Sequence, residues 1–398
     1  MIHILSDELV ILAGSRHLDT RPFTPFSTEA CQMLADLSAK LRSTSEVKLY
    51  PDVFTFAFWC RRGNIQAMKA QFEYGPTRIG RGLSFHIAPS NAPVTFAYSL
   101  AFGLLAGNPT VVRIPGKKFP EIEMICDALN SCVSIRKDKE YRAIFALVRY
   151  EHDSKLNQEL SKIASSRVIW GGDSTVAEFK KAHTSPRCVD IVFGDRTSLT
   201  VINASVVERL PALGLERLAQ GFFNDAYILD QQACSSPHLV AWIGETCELG
   251  RERFWEALTG IVNKKYQLEL VDAVDKYIQL CRDAIALDNV EPVEGYGTLV
   301  YRLKLNNLPD SVDDLKGKFG YFFEHEVDML DSLADIITDR VQSMMYFGIE
   351  KNDLLEFVVS NRLTGIDRIV PIGDGLDLGV VWDGHDVLGM LSRIIDAR

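Results

Sequence analysis

Residues 83–115 read LSFHIAPSNAPVTFAYSLAFGLLAGNPTVVRIP. A short strand-like run, Leu83–Ile87, meets a Pro/Asn turn. An apolar helix over Val94–Gly107 follows, then a Gly-Asn-Pro break and a second β-branched run, Thr110–Ile114. Strand, helix and strand within about thirty residues form a βαβ unit, which needs parallel pairing and a right-handed crossover. The same alternation continues C-terminally, with helices predicted at Pro120–Cys132, Asp153–Ala164 and Thr175–Ala182. Strands are predicted within Tyr141–Tyr150 and at Arg167–Trp170 and Val189–Phe193. The fold class is therefore α/β, a Rossmann-type parallel sheet covered by helices, with ligand loops at the carboxyl ends of its strands.

On the N-terminal side, Thr28–Leu41 has helical spacing of apolar residues, and Val53–Trp59 reads as an aromatic strand. The polar stretch 61–80 reads as an excursion or hairpin leaving the body. A second α/β segment follows from about Val201, and Asp367–Arg398 is rich in Gly and Asp before a short amphipathic helix. The organisation read from this is a nucleotide-binding domain at 1–202, a catalytic domain at 203–375 and a tail at 376–398.

Composition narrows the function. The chain has 398 residues, 47% hydrophobic and 24% charged, with a formal charge of −10. That is ordinary globular usage without the basic footprint of a nucleic-acid binder. The longest apolar run, Val94–Gly107, is too short for a bilayer span, which needs roughly 20 residues. Asp7 and Glu8 stand where a signal peptide would be basic, so the expected location is cytoplasmic. The eight cysteines are scattered without CxxC pairs, so neither a metal site nor a disulfide scaffold is expected.

Three segments carry chemistry. In Tyr227–Thr246, YILDQQACSSPHLVAWIGET, a strand-like start and a polar turn lead to Cys234-Ser-Ser-Pro and an apolar run read as a helix. Serine before proline is a helix-start signature. Cys234 would then sit in front of free amides and a positive dipole end, which lower a thiol's pKa. The alternative is a small buried residue, and His238 four residues on offers a Cys–His pair. In PSNAP, Asn91 is either an oxyanion donor at the crevice mouth or a turn residue. Arg113, Lys117 and Lys118 end the next strand on the crevice side, suited to a ribose phosphate or to solvent. In Val168–Val176, VIWGGDSTV, Gly171 and Gly172 permit close backbone approach, and Ser174 opens a helix whose amides suit a phosphate.

The ordered set PSNAP, LLAGNPTVVRIP, VIWGGDSTV, DIVFGDRTS and DQQACSSP resembles the aldehyde dehydrogenase superfamily, and within it the LuxC-type fatty-acyl reductases. The ending, GIDRIVPIGDGLDLGVVWDGHDVLGMLSR, resembles that branch too, and the likeness runs from about Gly82 to the C-terminus. The resemblance implies an acyl-CoA or acyl-protein thioester reductase that forms an aldehyde through a Cys234 acyl-enzyme. Asn91 matches the oxyanion-stabilising asparagine. Arg113 stands in place of a cofactor-binding lysine, with Gly171, Gly172 and Ser174 in the loop before the cofactor-facing helix. It also implies an acyl-protein synthetase partner and a homo-oligomer, with 61–80 and the tail as candidate contacts.

Two positions depart from the superfamily pattern. Val192 replaces a water-activating glutamate, and Gly317, ahead of Phe319-Gly320, replaces a ribose-binding glutamate. The first suits an enzyme that must keep its thioester until hydride arrives. NADPH is the expected cofactor, because Arg113 offers a planar donor for a 2′-phosphate. NADH is the alternative if Glu121 or Glu123 binds the ribose. The competing functions are a cysteine acyltransferase or thioesterase without redox chemistry, and a non-catalytic relative.

Overall fold

In the computed structural model, the residues described are 2–3, 9–73, 77–135, 144–151, 155–244, 248–287 and 294–398. Cys247 and parts of four expected segments (residues 74–76, 141–143, 153–154 and 245–246) lie outside them. The chain forms two units, one of residues 1–194 with 379–398 and one of residues 195–378. The division thus falls after Gly194 rather than after residue 202, and the last twenty residues are part of unit 1 rather than a separate tail.

Unit 1 is built on a six-stranded sheet of β1 (Val10–Gly14), β2 (Ser84–Ile87), β3 (Thr110–Arg113), β4 (Phe145–Arg149), β5 (Ser166–Trp170) and β6 (Val189–Phe193), in the order β1-β4-β3-β2-β5-β6. All neighbours are parallel except the antiparallel edge pair β1–β4. Strands β2, β3 and β5 are buried along their whole length, as a sheet covered on both faces requires. Every helix and strand expected between Leu83 and Phe193 is present.

The N-terminal region departs from expectation at two places. Helix α1 (Thr28–Ser43) forms as read, capped by Ser27 and burying Ala30, Met33, Leu34, Leu37 and Leu41. Val53–Trp59, however, is not a strand but most of helix α2 (Pro51–Trp59), with proline in the first turn. Its buried residues Val53, Phe56 and Ala57 have helical spacing. Phe56 and Trp59 pack edge-on against Tyr98 at 4.9 and 5.4 Å between ring centroids. Tertiary aromatic packing thus overrides the β preference of these side chains. The 61–80 stretch is likewise not a hairpin: it holds helix α3 (Arg62–Glu73) and a strand, Arg78–Gly80, that pairs antiparallel with Ser392–Ile394.

Asn108, of the GNP break, secures this arrangement. Its Oδ1 accepts from the amides of Arg81 and Gly82 at 2.7 and 3.2 Å, and its Nδ2 donates to the Leu391 carbonyl at 2.9 Å. Gly107 beside it has φ +87, and a Cβ there would lie 2.1 Å from the Phe23 carbonyl oxygen. LLAGNP is therefore an architectural motif.

Unit 2 has a seven-stranded sheet of β7 (Thr197–Asn203), β8 (Pro237–Ile243), β9 (Glu294–Tyr296), β10 (Val300–Lys304), β11 (Tyr321–Val327), β12 (Val341–Phe347) and β13 (Arg368–Pro371), ordered β9-β10-β11-β8-β7-β12-β13. One face carries α8 (Ala204–Glu208), α9 (Ala212–Tyr227) and α10 (Glu248–Lys265) over an aromatic cluster that includes Phe222, Trp242, Phe254 and Trp255. The other face is covered by α11 (Leu270–Ala286), through Leu280, and by α12 (Lys351–Ser360), through Leu354 and Phe357. No helix among the described residues is long and apolar enough to cross a membrane.

Asn108→Ala leaves two amides and a carbonyl without their partner, an expected loss of ~2–4 kcal/mol. Urea denaturation checks this; a midpoint equal to wild type would contradict the architectural role of Asn108.

Candidate active site

Because β2, β3 and β5 are parallel, the loops that follow them open at one edge of the unit 1 sheet, and the expected cofactor residues gather there. Asn91 is exposed in the bend between β2 and α4 (Thr95–Leu105). Arg113 ends β3 and is only 5% exposed. Its guanidinium carbon lies 5.2 Å from the Tyr150 ring centroid, and its buried Nε has no hydrogen-bond partner. Burial lowers its pKa, opposed by Tyr150, Glu178 and Glu151. Lys117 is exposed, its Nζ 4.6 Å from the centre of the Phe119 ring. Gly172 is the N-cap of α7 (Asp173–Lys180) and contributes no side chain, so the first-turn amides face outward beside exposed Ser174. The Gly171 amide donates to the Phe193 carbonyl at 3.1 Å, tying this turn to β6. Glu121, in the first turn of α5 (Pro120–Ile135), has one buried carboxylate oxygen without a partner, while Glu123 is exposed. An orphan guanidinium N–H, a glycine turn and a helix start fit the phosphates of a dinucleotide.

Sequence reasoning missed the aromatic support of this edge. Trp170 and Phe193 stack with centroids 3.8 Å apart. The Trp170 indole donates to Ser99 Oγ at 3.0 Å. Ser99 Oγ lies 2.7 Å from His86 Nδ1, and His86 Nε2 lies 2.6 Å from Ser84 Oγ. Burial pushes the His86 pKa down to about 3. The signal available was two polar residues, Ser84 and His86, on alternate positions of an otherwise apolar strand. Val192 on β6 is partly buried against the apolar core, with no carboxylate at that position.

Cys234 belongs to unit 2, and its setting differs from the one expected. No helix begins after Ser236: Pro237–Ile243 is β8, a central strand with Pro237 through Trp242 buried. Tyr227–Gln231 is not a strand but the end of α9 and a turn. The Ser-Pro pair that resembles a helix start also suits a strand start, where proline costs no ladder bond. The expected helix start directly after this thiol is therefore replaced by a strand start.

What shapes the loop is Gln231. Asp230 and Gln231 have φ +53 and +60, two consecutive left-handed residues without glycine. Each such conformation costs of order 1–3 kcal/mol unless the surroundings enforce it. The buried Gln231 amide does so with four bonds: Nε2 donates to the carbonyls of Pro237 and Tyr321, both at 2.8 Å. Its Oε1 accepts from the amides of Gly320 and Tyr321 at 3.1 and 2.9 Å. The Phe319 amide donates to the Asp230 carbonyl at 3.1 Å. Half-buried Cys234 follows, its carbonyl accepting from Ser198 Oγ at 2.7 Å.

The network continues. Ser198 Oγ accepts from the Ser343 amide at 3.1 Å, and Arg368 donates to Ser343 Oγ and to the Gly375 carbonyl at 3.2 and 3.0 Å. The Gly373 and Gly375 amides donate to the Asp225 carboxylate at 2.6 and 2.9 Å. Ser236 Oγ closes the circuit on the Asp225 carbonyl at 2.9 Å. Burial raises the Asp225 pKa to about 7 against those two amide bonds.

His238 is a structural acceptor, its Nδ1 taking the Gly317 amide at 3.1 Å. Burial, with help from Lys316, pushes its pKa down to about 4. A Cβ on Gly317 would lie 1.9 Å from the Tyr321 carbonyl oxygen, so this backbone has no room for a glutamate there. Among the described residues no group of His, Cys, Asp and Glu is placed to hold a metal.

The sequence model of the acyl-CoA reductase family LuxC matches residues 64–268, just over half of the chain. The chain belongs to the LuxC family. The long-chain acyl-protein thioester reductase of Aliivibrio fischeri is 27% identical over 173 residues, 42% of this chain and 33% of that protein. That of Vibrio harveyi is 26% identical over 172 residues, with the same shares. The match thus spans about a third of the length of these curated relatives. Among solved structures, lactaldehyde dehydrogenase superposes with a TM-score of 0.59 at 13% identity, over 86% of this chain and 78% of that one. A point mutant of Thermus thermophilus 1-pyrroline-5-carboxylate dehydrogenase gives 0.64 at 11% identity, over 92% and 80%. The LuxC-family chain therefore has the aldehyde dehydrogenase-like α/β fold.

The two depressed histidines set an acid limit. Both native pKa values lie below the unfolded value of about 6.5, so the unfolded chain binds more protons as pH falls. Their contribution is complete above pH 6.5 and drains toward pH 4 for His238 and pH 3 for His86. His238→Asn keeps an acceptor for Gly317 but cannot titrate. Its urea midpoint is expected to fall less than wild type's between pH 7 and 4.5; parallel curves would refute the assignment.

Proposed function

We propose that this chain reduces an acyl thioester, carried on CoA or on a protein, to the aldehyde through a thioester on Cys234. Its relatives are named long-chain acyl-protein thioester reductases. The observation that carries the reading is the Cys234 loop, a half-buried thiol three residues beyond a strained turn that a fully bonded amide holds.

The Cys234 thiolate attacks the acyl carbonyl, forming a C–S bond and an oxyanion. Asn91 donates its side-chain amide to that oxyanion, an interaction of ~3–4 kcal/mol in the transition state. The oxyanion collapses, the donor's C–S bond breaks and its thiolate leaves, taking a proton from solvent. A reduced nicotinamide, when bound, supplies the hydride that adds to the thioester carbon. The second oxyanion then collapses with loss of the Cys234 thiolate, releasing aldehyde. By the resemblance, apolar Val192 stands in place of the water-activating glutamate, and an acyl-enzyme without that base would resist hydrolysis.

Arg113, Lys117, Gly171, Gly172 and Ser174 would hold the cofactor. The orphan N–H of Arg113 favours NADPH, through its 2′-phosphate. The orphan oxygen of Glu121 supports NADH as the second reading, through a ribose hydroxyl.

Intact mass after incubation with a series of acyl-CoAs tests the nucleophile. Wild type is expected to gain one acyl group, Cys234→Ala none, and Asn91→Ala to acylate on the order of 10²-fold more slowly. Added NADPH should discharge the adduct as aldehyde. Free acid, or acyl transfer indifferent to cofactor, would instead establish a thioesterase or acyltransferase. In fluorescence titrations, Arg113→Gln should weaken NADPH more than NADH; equal weakening would withdraw the 2′-phosphate role.

A further inference from the structure

Helix α11 buries one face and leaves the other bare. On the inner face, Lys276 donates to the carbonyls of Thr298 and Phe319 at 3.0 and 2.8 Å, and Asp283 accepts from Tyr321 Oη at 2.7 Å. These two buried charged residues stand seven positions apart, two turns of the helix. On the outer face, Val271, Val274, Ile278, Cys281 and Ile285 recur at spacings of three, four, three and four, all exposed, from 43% at Ile278 to 84% at Ile285. That is the seam of a coiled coil, here without a partner helix among the described residues.

The residues beside the seam specify the partner. One flank carries Asp275 and Arg282, seven residues apart, and the other carries Tyr277 and Ala284. In an antiparallel pair of two α11 helices, with Val274 facing Ile285 and Ile278 facing Cys281 of the second copy, each flank meets the same flank of the other chain. Asp275 then meets Arg282, and Tyr277 meets Ala284: opposite charges and large against small, twice over by symmetry. A parallel pair would instead set Asp275 against Leu270 and Arg282 against Tyr277, with no charge matched. We infer that the outer face of α11 is an isologous, antiparallel self-association surface of this chain. Asp275 also lies 3.3 Å from Lys318, a pair about half exposed that leaves Asp275 accessible. A helix of about 25 Å offers less than the ~800 Å² per partner of a standard interface, so the association is weak and concentration-dependent.

Sedimentation equilibrium of the full chain over a concentration series tests this, with far-UV circular dichroism confirming the fold of each variant. Ile278→Glu is expected to weaken one association step at least ~100-fold, since it places two carboxylates in the seam. Asp275→Arg should weaken it ~10-fold, and the double variant Asp275→Arg/Arg282→Asp should return to within about threefold of wild type. Rescue by the double swap requires that the surface meet itself in antiparallel register. Equal masses for wild type and Ile278→Glu at every concentration would overturn the proposal, as would a double variant as weak as the single. Were the chain to show no such step yet float with phosphatidylcholine vesicles through Ile278, the occupant would be lipid and the self-association reading wrong.

Discussion

The setting of Cys234 depends on one buried side-chain amide. Gln231 uses all four of its hydrogen-bonding capacities on the start of β8 and the Gly320-Tyr321 backbone. In doing so it holds two adjacent residues in a backbone conformation that neither adopts freely. A leucine of similar size would leave two carbonyls and two amides buried and unpaired. Through Ser198, Ser343, Arg368 and Asp225 the same loop is bonded to the starts of β7 and β12 and to the Gly-Asp segment after β13. Cys234 is thus set at the amino-terminal edge of the unit 2 sheet, ahead of a strand rather than of a helix.

Unit 1 shows the opposite electrostatic device. Arg113 is buried at a strand end with its Nε unpaired among the described residues, an expensive arrangement that a bound anion would relieve. The aromatic stack of Trp170 on Phe193 and the Ser84–His86–Ser99 chain brace the adjoining strand. Gly317 adds a negative constraint: close approach of the Tyr321 carbonyl forbids any side chain where related enzymes are expected to carry an acid.

The helix–strand alternation of unit 1 was readable because short apolar strands alternate with helices of eight to sixteen residues, several of them bounded by Gly or Pro. The same cues misled at two places. Aromatic Val53–Trp59 reads as a strand in isolation, yet it packs as a helix because Tyr98 and Phe102 offer faces to Phe56 and Trp59. Pro237–Ile243 follows a helix-start signal, yet it becomes a central strand because neighbours on both sides supply ladder bonds.

Local pattern alone therefore determined the class of fold, the order of elements from Leu83 to Phe193, and which residue types stand in the loops where chemistry occurs. Tertiary structure alone decided that Cys234 precedes a strand, that the C-terminal residues fold with unit 1, and that Gln231 and Asn108 are the clamps. Propensity and periodicity act between neighbours in the chain. The most distant partners of these clamps lie ninety and 283 residues away and meet only when burial makes an unpaired polar group too costly to leave.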